Sequence, residues 1–305
     1  MFILGISAYY HDSAACLLID GEVVCAFEEE RFSRKKHDSE FPVRAIEACL
    51  QYAKITSADI DCIAYYEKPS LRFERVIDWF VETYPLTISA FIRHMPGWLG
   101  TKLSVEFSIR EALGYKGKIV FTPHHLSHAA VAFYASGFEH AAVLTVDGVG
   151  EYLTTGLWQG DRHGLKLLKS ITFPNSLGLL YSVFAAFLGF RVNEGEYKMM
   201  GLAAYGKPEY EASVKKIVHM YTDGSFEIDR RYISLLGDGV AWRRAFIELF
   251  GEPRTPSGVI TQRHKDIAAS IQKVTEEIYG KLLCHLRILT GEDRICAGGG
   301  VALNS

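Results

Sequence analysis

Residues 141–173 read AAVLTVDGVGEYLTTGLWQGDRHGLKLLKSITF. AAVLTV is a continuous apolar run of strand length, ended by Asp147 and the turn GVGE. YLTTGLWQG is a second strand, Asp161 to Gly164 turn the chain, and LKLLKSITF is a third. The N-terminus follows the same plan with different residues. FILGIS is a strand, AYYHDS holds the polar residues of a turn, and AACLLID is a second strand. Asp20-Gly21 is a hairpin signal because both positions tolerate positive φ, and EVVCAFEE is the third strand. Strand, polar or glycine turn, strand, hairpin, strand therefore occurs twice, as a duplication of topology without identity.

The remaining segments fit two α/β halves, 1–140 and 141–305. In the first, Phe41-Pro42 precedes a helical pattern in VRAIEACLQYAKI, and IDCIAYYE and KIVFTP read as strands. Residues 71–116 are helical by pattern, and HHLSHAAVAFYAS is a helix started just after Pro123. In the second, helices are expected at 177–189 and 263–286, then the strand RICAG, Gly298-Gly299-Gly300 and a helix opening at VALNS. Two such halves predict a duplicated acetate-kinase, hexokinase and actin-like (ribonuclease H-like) fold, with a nucleotide and metal cleft between the halves. This is a fold analogy and names no chemistry. A chain that stops half a turn into a helix leads us to expect further residues after Ser305.

Composition narrows the class. The chain has 305 residues, 49% hydrophobic and 23% charged, as soluble globular proteins have. Lys plus Arg is 33 against 36 for Asp plus Glu, giving a net charge of −3, so no basic surface points to nucleic acid. No apolar run approaches the roughly 20 residues that span a bilayer, and the N-terminus lacks the basic region of a secretory signal. Cys16, Cys25, Cys49, Cys62, Cys284 and Cys296 lack CxxC spacing, and read as reduced thiols of a cytoplasmic protein.

Chemistry concentrates in His124-His125-Leu126-Ser127-His128. His124 and His128 lie four apart, on one helix face, at the separation that lets two imidazoles share a metal. Imidazole suits Fe, Zn, Cu or Ni alike, and the bland alternative is a helix start with hydrogen-bonded histidines. Asp147, ending its strand before Gly148 and Gly150, is placed to supply a carboxylate; otherwise it is a turn-forming aspartate. His11 occupies the equivalent turn of the first half, as an acid, base or donor, or as plain turn chemistry. The run from Glu28 to His37, EEERFSRKKH, places four cations in six positions, enough to hold an anion; with nothing further it reads as a solvated, ion-paired loop. Gly298, Gly299 and Gly300 allow backbone amides close to a phosphate or ribose, with Asn304 within reach of a nucleoside. Glu196 and Lys198 form a polar cluster in NEGEYKMMGLAAYG, otherwise a loop lying against the core. No GxSxG elbow or cysteine nucleophile is evident, which disfavours a serine or cysteine hydrolase.

Taken together, GISAYYHDSAACLLIDG, EEERFSRKKHDSEFP, HHLSHAA, TVDGVGE, FPNSLGLLYS, GEYKMMGLAAYG and CAGGGVALN resemble the nodulation-protein-U and tobramycin O-carbamoyltransferase family, in order and over essentially the whole chain. That family's N-terminal region is itself similar to the iron-containing tRNA threonylcarbamoyltransferase. The resemblance implies a two-stage reaction. A separate C-terminal domain, absent here, makes carbamoyl adenylate from carbamoyl phosphate and ATP. The N-terminal domain moves the carbamoyl group to a hydroxyl of a sugar-containing acceptor such as an aminoglycoside. It further implies a ferrous ion held by His124, His128, Asp147 and a later aspartate that this chain does not reach. His11 is implied near the carbamoyl group and Lys36 as its basic partner. The glycine triplet and Asn304, with Gly148, Gly150, Gly178, Glu196 and Lys198, are implied on the nucleotide side. Membrane and nucleic-acid partners are not expected. The alternatives are threonylcarbamoyl-type transfer to tRNA and a metal- and nucleotide-binding subunit without turnover.

Overall fold

The structure is a computed structural model that describes residues 1–235 and 241–304. Two compact units, 1–127 and 128–305, divide the chain, and the division falls inside one helix. The strand pattern places its boundary at 140/141, after that helix.

In the first unit, β1 (Phe2–Ser7), β2 (Ala14–Ile19) and β3 (Glu22–Glu28) form the expected antiparallel meander. Asp20 and Gly21 take positive φ at its hairpin, as the Asp-Gly pair predicts. β4 (Cys62–Tyr65) and β5 (Lys118–Phe121) add in parallel to β1, giving the order β3-β2-β1-β4-β5. The charge run contains a single helical turn, α1 (Glu30–Ser33), and α2 (Val43–Ala53) follows it. α3 (Pro69–Glu82), α4 (Ile88–Gly97) and α5 (Val105–Leu113) fill the helical stretch before β5. Leu4, Ile6 and Leu17 of the sheet, Ala45, Ile46 and Cys49 of α2, and Ile109 of α5 make one buried core.

Helix α6 (His124–Tyr134) leads to β6 (Ala141–Val146), β7 (Leu153–Asp161) and β8 (Gly164–Thr172), again an antiparallel meander. A last strand, β13 (Ile295–Gly298), pairs in parallel with β6, so the order is β13-β6-β7-β8. That order matches β4-β1-β2-β3 of the first unit, and it confirms the α/β, actin-like duplication. β6 is buried at all six positions because strands flank it and helices cover it, which is why its sequence is uniformly apolar. α7 (Leu177–Phe187) supplies Phe184 and Phe187 to a core that continues through α8 (Glu196–Ala203), α9 (Glu211–Val214) and α10 (Arg244–Phe250). Between these lie two short ribbons, β9 (Val218–Met220) with β10 (Phe226–Ile228), and β11 (Ile233–Ser234) with β12 (Ala241–Trp242).

Two expectations change. The stretch around Glu196 is a helix, not a loop. Its apolar signal is short, with only Met199 and Ala203 buried, and Gly201 in its middle weakens the pattern. The helix opening at VALNS is a 3-10 turn over Gly300–Leu303, and Ser305 lies outside the described residues. All six cysteines are free thiols. No helix among the described residues is long and apolar enough to cross a membrane.

The long helix α11 (Gln262–Thr290) packs on β6, α7 and α8 and is stopped by Gly291 at φ 69°. Its start depends on His264, whose Nδ1 accepts the Thr261 N–H at 2.9 Å while the Thr261 side chain caps the first turn. Burial, and then the Arg263 and Arg254 cations, hold the His264 pKa below its ordinary 6.5. The unfolded chain therefore takes up this proton first as pH falls, so the contribution is complete above about 6.5 and is lost through the lower folded value. Thermal unfolding followed by circular dichroism is expected to show a midpoint that drops from pH 7 to pH 5. His264→Gln, which can still reach back to the Thr261 N–H, should flatten that part of the profile; an unchanged profile would refute the assignment.

Candidate functional site

Pro123 ends β5's exit and α6 begins at His124, so the two histidines four apart project from one face, as their spacing required. The helix start is pinned by the Ser127 hydroxyl, which donates to the Tyr66 carbonyl at 2.9 Å. His124 and His125 are both buried, and the His124 ring lies edge-on to Tyr66 at 5.6 Å. Burial, above all, pushes the Tyr66 phenol up, so Tyr66 stays a neutral wall. His128 Nε2 lies 3.1 Å from Asp147 Oδ2. One ligand atom from each of His124, His128 and Asp147 falls within a common 4.8 Å. Two ligands each about 2.1 Å from one ion are themselves roughly 3 to 3.5 Å apart, so this donor set suits a shared divalent ion as well as a direct hydrogen bond.

Asp147 does not point freely. Its Oδ1 accepts the Gly148 N–H at 2.7 Å and the Gly300 N–H at 3.3 Å, which leaves Oδ2 for His128. Its own N–H donates to the Thr154 carbonyl at 3.0 Å, and Gly150 N–H closes the turn on the Leu153 carbonyl at 2.9 Å. Ser176 clamps the same turn from the start of α7. Its hydroxyl donates to the Gly148 carbonyl and accepts the Leu179 N–H, capping the helix. Gly178 lets α7 come this close: a Cβ there would lie 2.7 Å from Gly148 N and 2.8 Å from Asp147 O. The glycine triplet is pressed onto the same residues. A Cβ on Gly298 would meet the His128 carbonyl at 2.9 Å, and one on Gly299, at φ +91°, the Val146 carbonyl at 2.4 Å. Thus His128, Asp147, Gly148, Gly178 and Gly298 to Gly300 gather at one place, with His124 one helical turn before His128. Ser176 belongs there too; the S-x-x-L start of an apolar helix was its signal, and sequence reasoning did not single it out.

Glu196 reaches α7 and Asn304 reaches α11 instead. Glu196 accepts the Ser182 hydroxyl at 2.7 Å and the Asn193 N–H at 3.0 Å. Asn304 exchanges two hydrogen bonds with the Gln272 amide at 2.6 and 3.1 Å, and Gln272 accepts from the Tyr181 hydroxyl at 2.9 Å. Burial pushes the Tyr181 pKa up to about 12. Lys198 places its ammonium 5.6 Å from the Tyr197 ring centre.

In the first unit His11 sits exposed on the β1–β2 turn, its ring 4.4 Å from that of Tyr10, which in turn lies 5.0 Å from the Arg72 guanidinium. Arg72 is tied to Glu67 by bonds of 2.9 and 2.7 Å. The charge run is not simply a solvated loop. Lys36 is exposed, but Glu29 is buried and accepts the Ala45 N–H at 2.9 Å, capping α2. Asp38 is buried too, and the Ser33 hydroxyl first, then the Glu40 N–H and Lys35, hold its carboxyl below the usual range against that burial. Among the described residues a second cluster, Asp12, Glu30 and His37, gathers ligand-type atoms within 4.8 Å, and hydrogen bonds between its own members account for it.

An α/β duplication with an HxxxH helix start beside a strand-end aspartate is what the motif resemblance called for. The chain belongs to the family described as carbamoyltransferase N-terminus, which matches residues 2–305. It is 45% identical over 312 residues to the uncharacterized protein sll1178 of Synechocystis, covering 99% of this chain and 51% of that protein. It is 36% identical over 302 residues to nodulation protein NolNO of Sinorhizobium fredii, covering 98% of this chain and 42% of that one. The chain thus spans about half the length of these curated relatives. Component A of the Acidaminococcus fermentans (R)-2-hydroxyglutaryl-CoA dehydratase aligns at a TM-score of 0.47 and 15% identity, over 100% of this chain and 85% of that one.

Gly178 faces backbone atoms, a clash that no side-chain rotation relieves, whereas Ser176 holds the turn through its hydroxyl. Gly178→Ala is expected to cost about 1–3 kcal/mol through overpacking, and Ser176→Ala about 0.5–2 kcal/mol through the lost cap. Both should appear as lower urea midpoints with unchanged slope. A wild-type midpoint for Gly178→Ala would show that α7 does not approach the Asp147 turn as described.

Proposed function

We propose that the chain is the transfer domain of an ATP-dependent O-carbamoyltransferase. It passes a carbamoyl group from carbamoyl adenylate to a hydroxyl of a sugar-containing acceptor. The observation that carries this reading is the two-histidine, one-aspartate group with its carboxylate pre-oriented by two backbone N–H donors, in a chain of the carbamoyltransferase family. In the reaction the acceptor oxygen bonds to the carbamoyl carbon, the bond from that carbon to the phosphate oxygen breaks, and AMP leaves. His124, His128 and Asp147 would hold a divalent ion, ferrous iron in this proposal. Such an ion supplies charge for the adenylate phosphate and polarises the carbamoyl carbonyl.

The remaining roles belong to the protein's own groups. His11 takes the acceptor's proton as the new C–O bond forms, and Lys36 counters the developing negative charge. The Gly298 to Gly300 segment, its Gly300 N–H held on Asp147, lies on the nucleotide side with Gly148, Gly150 and Gly178 shaping the turn beside it, its lack of side chains allowing close approach. Glu196, bonded to Ser182 of α7, Asn304, bonded to Gln272 of α11, and Lys198 belong to that side as well. Carbamoyl adenylate would come from a carbamoyl-adenylate-forming domain, in keeping with relatives about twice as long.

Protein purified without oxygen or chelator is expected to carry near-stoichiometric iron, and the His124→Ala/His128→Ala variant none. Supplied with preformed carbamoyl adenylate and a sugar acceptor, it should release AMP together with carbamoylated sugar. His11→Asn should slow that release by about 10²–10⁴-fold, the usual worth of a positioned base. Tight nucleotide binding without any transfer would instead identify a non-catalytic subunit, and transfer to tRNA alone would replace the acceptor class.

A further inference from the structure

The turn that carries His11 is built more elaborately than a β1–β2 connection requires. Tyr9 N–H donates to the Ser39 carbonyl and Ser13 N–H to the Asp38 carbonyl, both at 2.8 Å, so the turn is zipped to the loop that ends the charge run. Between those two bonds Asp12 makes a double contact. Its Oδ2 lies 2.7 Å from His11 Nδ1, and its Oδ1 lies 2.9 Å from His37 Nδ1. His37 is itself held through its backbone N–H, which donates to Glu30 Oε2 at 3.0 Å. The Nε2 atom of His37 is buried with no partner, so its ring's one hydrogen bond is the one to Asp12.

The backbone here is strained in a concerted way. Tyr9, Asp12 and His37 all take left-handed φ, at 70°, 52° and 55°. Such a conformation is disfavoured for a residue with a side chain and persists only where its surroundings enforce it. What the strained backbone achieves is the placement of one carboxylate between two imidazoles. Burial would raise the Asp12 pKa, but the hydrogen bonds from His37 and then His11 bring it below the usual carboxylate range, so the group is an anion that only accepts. Both Nδ1 atoms must then carry protons.

We infer that Asp12, anchored by His37, is a positioning residue that fixes the ring orientation and tautomer of His11. With Nδ1–H committed to Asp12, the neutral His11 ring presents its Nε2 lone pair away from the turn. That lone pair is what a general base needs in order to take a hydroxyl proton. The inference rests on the proposed part of His11 in carbamoyl transfer, but its geometry is tested separately. Neither His37 nor Asp12 touches substrate in this scheme; both act through His11.

The first readout is 15N NMR of the histidine ring nitrogens in the intact protein. Neutral His11 is expected to carry its proton on Nδ1; a proton found on Nε2 in the wild-type protein overturns the inference without any variant. Asp12→Asn is the second readout. Asparagine tolerates left-handed φ, so the turn is kept, yet the two rings use different carboxylate oxygens and one of these becomes an NH2 that only donates. The exposed His11 ring should lose its fixed tautomer while His37 keeps its own. Transfer from preformed carbamoyl adenylate should fall by about 10²-fold or more in kcat with little change in KM for the acceptor. Asp12→Glu, which restores an anionic double acceptor, should recover part of it. An unchanged His11 tautomer in Asp12→Asn overturns the positioning role. A changed tautomer with undiminished transfer upholds the positioning but removes His11 from the reaction, and so refutes the reading above.

Discussion

The second unit is organised around the carboxylate of Asp147. Its two oxygens have different tasks: Oδ1 is held by the Gly148 and Gly300 N–H groups, and Oδ2 meets His128. To bring those partners in, three pieces of backbone must approach within distances that no side chain tolerates. α7 arrives through Gly178, β13 through Gly298, and the following turn through Gly299 at positive φ. A carboxylate free to rotate would lose side-chain entropy on capturing an ion, whereas this one has lost it on folding. The glycines that look like a nucleotide loop in the sequence thus have a visible structural duty before any ligand is considered.

The first unit solves a parallel problem with different means. Its turn has no glycine, so the left-handed conformation falls on Tyr9 and Asp12, and on His37 opposite them. Hydrogen bonds with the Asp38 and Ser39 carbonyls hold that conformation in place. Below it, Tyr65 and Phe121 meet edge to face at 5.8 Å, and Arg72, paired with Glu67, lies against Tyr10. Each unit therefore places a polar turn after its first strand, and holds it by contacts from far along the chain.

Much of this was legible in the residues. The meanders, the Asp-Gly hairpin, α6 with its HxxxH spacing and the buried β6 all follow from local pattern, because period and turn chemistry act over a few residues. The aspartate at the end of β6 could be named as the third ligand candidate for the same reason. What was misread was the short and the interrupted: α8 around Gly201, and a charge run whose Glu29, with the Asp38 that follows the run, is buried. Charge density signals solvent exposure on average, and nothing local distinguishes a carboxylate that caps α2 from one that faces water.

Sequence by itself determined the class of fold, the family and the identities of the metal-type donors, since these depend on residue type and on spacing along one element. Tertiary structure alone decided how the two oxygens of Asp147 divide their partners, that Ser176 and Gly178 shape its turn, and that Asp12 lies between His11 and His37. Each of these needs at least one partner from far along the chain, 25 residues away for Asp12 with His37 and 153 for Asp147 with Gly300. Their geometry is set by packing and by backbone strain shared between segments, and no window of sequence contains either.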